Sequence, residues 1–399
     1  MSAMQKDHPT HKHHQRRRGG AWLGAVPRLS QFAVEHLLLL PLGALIAMIW
    51  VNVEPESYYR FTYSIAFAVN DVGMVLFFAL MTKEVVEATV TGGVLHPWRR
   101  AVVPVIAAIG AVVVPALILG PVVGILDEPV LVIGWPVVLA TDLAVSYFAA
   151  RIIFGQHPVV PFLLLLAIAA DAIGFVALAL FNATRDLHLG LGALILIGAA
   201  GLAAGLRRAR VMSFWPYVLG AGGLSWYALF WSGLHPALAL VPIMPFLPHA
   251  RRDPGFFVDA PPDAKDTLNR FEIWWRYPAQ VALFFFGLVN AGVPFGALEP
   301  GTLGVPIAVI VGKPLGILVA AGCAVGAGLH LPQRIGWREL MVIGFLAAIG
   351  FSVGLFFSAA LLPPGQLRSE TSMGVLLSLA GAPLALLCAK LLHVGRFGR

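Results

Sequence analysis

Apolar runs long enough to cross a bilayer follow one another from Phe32 almost to the C-terminus. About twenty apolar residues in a helix span the hydrocarbon core. In lipid, only helices and closed barrels satisfy every backbone group internally, and these runs lack the polar–apolar alternation of barrel strands. A soluble domain would carry roughly 25% charged residues, whereas this chain of 399 residues is 59% hydrophobic and 12% charged. The expected fold class is an all-α polytopic membrane protein with about twelve spans. They fall near 32–53, 62–90, 101–125, 130–150, 158–181, 188–206, 212–231, 233–248, 276–293, 303–326, 338–361 and 371–394. No cleavable leader is visible, so the first run reads as a retained helix.

The net charge of +7 follows from orientation. With both termini in the cytoplasm, the outer loops hold only Arg60, Arg185 and Arg368, while nearly all other Lys and Arg residues face inward. That asymmetry favours an even number of spans, and no nucleic-acid partner is needed to explain the charge. Residues 1–30 read as a disordered basic tail touching anionic lipid. Its His8, His11, His13 and His14 leave metal binding or pH sensing as an alternative. Residues 31–394 read as one membrane domain with a cytoplasmic loop at 249–276, and 395–399 as a short cytoplasmic tail. Cys323 and Cys388 lie in apolar runs and read as packing residues, so no cofactor is expected.

Three ionisable residues sit at depths that lipid disfavours: Asp142, Asp171 and Lys313. A charge at the bilayer centre costs at least ~2.5–3.5 kcal/mol, so such residues usually mark an ion path or a proton relay. A buried ion pair that ties helices together is the alternative. Two groups of spans, about 101–181 and 303–394, look like repeats. In each, the second span is interrupted. One carries Gly134-Trp135-Pro136 and then Thr141-Asp142; the other carries Gly344, Gly350, Ser352 and Gly354. Interrupted spans at matching places point to a transport site at a repeat interface. Positive helix ends are expected to meet Asp142, and negative ends Lys313. Ordinary kinks and small packing residues are the other reading.

Ordered short motifs run along almost the whole chain. They include Asn70-Asp71, Val103-Pro104-Val105-Ile106, Ala140-Thr141-Asp142, Leu166-Ala167-Ile168 leading to Asp171, Ser232-Gly233-Leu234-His235, Asn290-Ala291-Gly292-Val293, Gly312-Lys313-Pro314 and Ile349-Gly350-Phe351. In these the chain resembles the bacterial NhaA family of sodium/proton antiporters. The resemblance implies an inverted-repeat fold with two discontinuous crossing helices, here spans four and eleven. It implies a homodimer in the bacterial inner membrane that exchanges Na+ or Li+ for H+ and serves pH and sodium homeostasis. Carried over by position, Asp171 is the cation- and proton-binding carboxylate, Thr141 and Asp142 lie beside it, and Lys313 is the charged partner. Glu84 and His235 match positions linked to pH response; a snorkelling carboxylate and a satisfied helix-end imidazole are the alternatives.

The chain also departs from that pattern. Where the family has two adjacent aspartates, this sequence reads Ala169-Ala170-Asp171, so the usual partner of Lys313 is missing. The stretch Glu84-Val85-Val86-Glu87-Ala88 lacks the family's Lys-Arg-Glu end, and Pro236 follows His235. A sodium site needs hard oxygen ligands, and one carboxylate can hold a proton or a cation by turns. Two protons per sodium would need a second carboxylate or a lysine that discharges. Lys313 either loses its charge in a dry site or pairs with Asp171 or Asp142, and coupling is expected to move towards one proton per sodium. The competing readings are a transporter of this fold for another ion or an organic anion, a sensor or scaffold, and an intramembrane enzyme. For the last, no His-Glu-x-x-His motif occurs.

Overall fold

A computed structural model describes residues 39–89, 102–155, 157–181, 189–249, 266–297, 299–332 and 334–398. Residues 1–30 and most of the loop 249–276 lie outside them. No strand occurs among the described residues.

The chain begins with α1 (Leu39–Val53) and α2 (Pro55–Phe67). A π turn, Ala68–Gly73, carries α2 without a break into α3 (Met74–Thr89). Pro55 starts α2 where a missing N–H costs nothing, so this span begins earlier than the apolar pattern indicates. Next come α4 (Val102–Ile125), a 3-10 segment (Pro129–Leu139), α5 (Leu143–Phe154), α6 (Val159–Phe181) and α7 (Leu189–Arg208). A second π turn, Pro216–Gly222, leads into α8 (Gly223–Trp231). Helix α9 (Thr267–Asn290) starts well before the expected 276, because Asp266 caps it by accepting from the Asn269 N–H at 2.8 Å. The last part is α10 (Gly304–Gly326), α11 (Trp337–Ala347), α12 (Phe351–Leu361), α13 (Gln366–Leu377) and α14 (Gly381–Leu391).

Each expected span except the eighth coincides with helical structure. Residues 233–248 hold only the 3-10 turns Pro236–Leu238 and Met244–Phe246. Pro236, Pro242, Pro245 and Pro248 remove the N–H donors a continuous helix would need. Among the described residues, six helices are long and apolar enough to cross a membrane unbroken, and α11 with α12, bent by 45°, makes a seventh.

The units 102–181 and 304–391 share one order: a long helix, an interrupted helix, and a further long crossing. Their long first helices, α4 and α10, lie directly against each other. A Cβ on Gly110 or on Gly316 would run into the other's carbonyl oxygen, so this crossing requires glycine on both sides. The main apolar cluster is built mostly from α4–α6 and α10–α14. Two smaller clusters belong to α1–α3 and α7–α9.

Candidate ion-binding site

Interrupting a helix frees backbone N–H and C=O groups, which at membrane depth must find partners inside the protein. The first interruption, residues 140–142, separates the 3-10 segment from α5; the second, 348–350, separates α11 from α12. The two meet: the Asp142 N–H donates to the Ile349 carbonyl at 2.6 Å. A Cβ on Gly350 would lie 3.0 Å from the Ala140 oxygen, a tight contact at this crossing.

Asp142 satisfies two helix starts at once. Its Oδ1 accepts from the Val145 N–H of α5 at 2.8 Å, and its Oδ2 from the Ser352 N–H of α12 at 2.8 Å. Lys313, on α10 and fully buried, serves the opposite ends. Its Nζ donates to the carbonyls of Leu139 at 3.3 Å and Ala347 at 3.0 Å, to Thr141 Oγ1 at 2.9 Å, and to the Ala140 carbonyl. The acid therefore sits on two positive helix ends and the base on two negative ones, as dipole electrostatics favour. Serines complete the arrangement: Ser146 Oγ donates to the Leu346 carbonyl at 2.7 Å, and Ser378 Oγ accepts from the Gly350 N–H at 3.1 Å.

Asp171 projects from α6 into the same crossing and is 3% exposed. Its Oδ1 accepts from the Thr141 N–H at 3.1 Å. Its Oδ2 is buried without a hydrogen-bond partner. Lys313 makes no ion pair with Asp171 or Asp142; the ion pairs among the described residues join Lys83 to Glu87 and, at 2.8 Å, to Glu272. Ala170, beside Asp171, is fully buried and supplies only a methyl group. A buried carboxylate oxygen with no donor is a hard oxygen that a cation or a proton can take.

The structure thus brings together Thr141, Asp142, Asp171 and Lys313, and His235 makes no hydrogen bond to them. Glu84 is on α3, and its side chain lies outside the described set. His235 caps the turn Pro236–Leu238, its Nδ1 accepting from the Ala237 N–H at 3.3 Å. Its ring stands edge-on to Phe356 at 4.8 Å and makes no hydrogen bond to the four. Sequence reasoning did not single out Ser146 or Ser378. Ser146 lies in the interrupted fourth expected span and Ser378 in the twelfth, each a serine among apolar neighbours.

The sequence model of the family described as Na+/H+ antiporter 1 matches residues 32–389. The Na(+)/H(+) antiporter NhaA 1 of Pelobacter propionicus is 39% identical over 371 residues, covering 91% of this chain and 97% of that protein. The NhaA of Geotalea uraniireducens is 40% identical over 373 residues, with the same coverage. The chain belongs to the NhaA family of Na+/H+ antiporters. Its fold is also similar to that of the sodium proton antiporter MjNhaP1 from Methanocaldococcus jannaschii, with a TM-score of 0.60, 16% sequence identity, and 95% and 97% of the two chains covered. A membrane antiporter family, not an enzyme family, is therefore the frame for the crossing of interrupted helices.

Proposed function

We propose that this chain is a secondary antiporter that exchanges Na+ or Li+ for H+ at Asp171. The unpartnered Oδ2 of this buried carboxylate carries the reading. A proton and an alkali cation cannot occupy it together, so one displaces the other. Thr141, whose N–H holds Oδ1 and whose hydroxyl lies on Lys313, orients the acid. Asp142 and Lys313 hold the crossing together by neutralising the four helix ends.

Lys313 is already committed to four oxygens, none of them on a carboxylate. The lack of an ion pair between it and a carboxylate supports a cycle that runs on Asp171 alone while Lys313 keeps its charge. The protonated acid and the cation-loaded carboxylate carry the same charge, and exchange of one H+ for one Na+ is electroneutral. The charge distribution of the loops supports inward-facing termini in a bacterial inner membrane, and the family supports a homodimer. In everted vesicles loaded with a pH dye, added Na+ or Li+ should release protons from the lumen, and Asp171→Asn should abolish the response. An undiminished response in that variant would place the exchange elsewhere.

A further inference from the structure

A cavity of about 600 Å³ opens beside the site-bearing bundle, between α2, the end of α9 and the start of α13. Tyr58, Tyr59 and Tyr63 line one wall, and Glu299 and Gln366 are also in its lining. Three further lining residues are hydrogen-bonded to each other: Asn70 in the π turn after α2, Asn290 at the end of α9, and Arg368 in the first turns of α13. Arg368 Nη2 donates to Asn290 Oδ1 at 2.7 Å. Asn290 Nδ2 donates to Asn70 Oδ1 at 2.8 Å, and Asn70 Nδ2 returns to Asn290 Oδ1 at 3.4 Å.

This triad links the turn at the end of α2, the end of α9 and the start of α13. Helix α13 in turn packs on α12, the half-helix whose start Asp142 caps. Ser372, also in the cavity lining, meets Ser358 of α12 with the hydroxyls 2.9 Å apart. The chemistry of the triad is hostile to a cation. An alkali cation needs oxygen ligands, yet both amide oxygens are taken by donors, and the guanidinium offers five donors and no acceptor. The positive charge of Arg368 in the cavity wall also repels cations directly. No ion pair to a carboxylate offsets the charge of Arg368 among the described residues.

We propose that Arg368, held by Asn290 and Asn70, is the outer cation gate: it closes this cavity to alkali cations and weakens the Na+ affinity seen from the outer face. The proposal rests on the antiport reading and on the inward orientation of the termini. Opening requires the Arg368–Asn290 bond to part as α13 moves away from α9. Arg368 touches no reacting atom here, so it acts as a positioning and selectivity residue.

The test compares right-side-out and everted vesicles from a host without other antiporters, reading the apparent Na+ KM at each face. In Arg368→Gln the outer-face KM should fall at least threefold while the inner-face KM stays within experimental error. Arg368→Lys, which keeps the charge, should stay close to the parental outer-face KM. Equal shifts at both faces, a shift at the inner face alone, or no shift would overturn the gate. So would a loss of outer-face discrimination in Arg368→Lys equal to that in Arg368→Gln. If Arg368→Gln fails to reach the membrane, Arg368→Met, which removes the charge but keeps a side chain of similar length, must lower the outer-face KM alone. Asp171→Asn, assayed in parallel, reports on the antiport reading by itself, since its loss of exchange from both faces does not depend on Arg368.

Discussion

At the scale of single residues, the division of labour among the buried charges decides what each substitution does. Asp171 has a free oxygen, so Asp171→Asn should remove exchange while leaving the fold intact, with a thermal midpoint close to the parental one. Asp142 has no free oxygen. Losing a helix cap costs about 1 kcal/mol, and Asp142→Ala loses two, so its midpoint should drop in a thermal shift measurement along with its activity. Lys313→Met strands the Leu139, Ala140 and Ala347 carbonyls, and each unpaired buried acceptor costs about 1–3 kcal/mol. A lower midpoint is expected there, and a variant as stable as the parent would show that the lysine does not brace the breaks. The positions of these charges were legible in the sequence, because charged residues in apolar runs are conspicuous. Their partners were not, since Lys313 bonds to main-chain carbonyls that no side-chain pattern announces.

At the scale of elements, the apolar pattern located most spans but not the ways in which helices stop. Thr141-Asp142 and Ile349-Gly350 lie at the two interruptions, whereas Gly134-Trp135-Pro136 falls inside the 3-10 segment, and a sequence does not show that one interruption lies against the other. That depends on the α4–α10 contact, which brings the two units together through Gly110 and Gly316. Gly110→Leu should force these helices apart and disconnect the crossing. A protein that reaches the membrane yet neither exchanges ions nor holds its thermal midpoint is the expected outcome. The eighth expected span misled because its mean apolar character hides four prolines, which matter through the donors they lack. The helix α9 was read too short because its first turns carry polar residues, and only the Asp266 cap shows where it begins.

At the scale of the whole molecule, the proposed exchange on the single carboxylate of Asp171 fixes the charge moved per cycle. One acid that alternates between H+ and Na+ moves no net charge. The two ions compete, so the apparent Na+ KM should rise as pH falls, approaching about tenfold per unit where the acid is mostly protonated, as linkage requires for a single proton. Ala170→Asp adds a second carboxylate in this fully buried position. That variant should become sensitive to membrane potential, carrying more than one proton per sodium. The most direct measurement is the ratio of H+ to Na+ moved by the parental protein in reconstituted vesicles, with the membrane potential clamped first at zero and then inside-negative. A single alternating carboxylate gives a ratio of one and the same rate at both potentials. A ratio of two, or a rate that the potential changes severalfold, contradicts it.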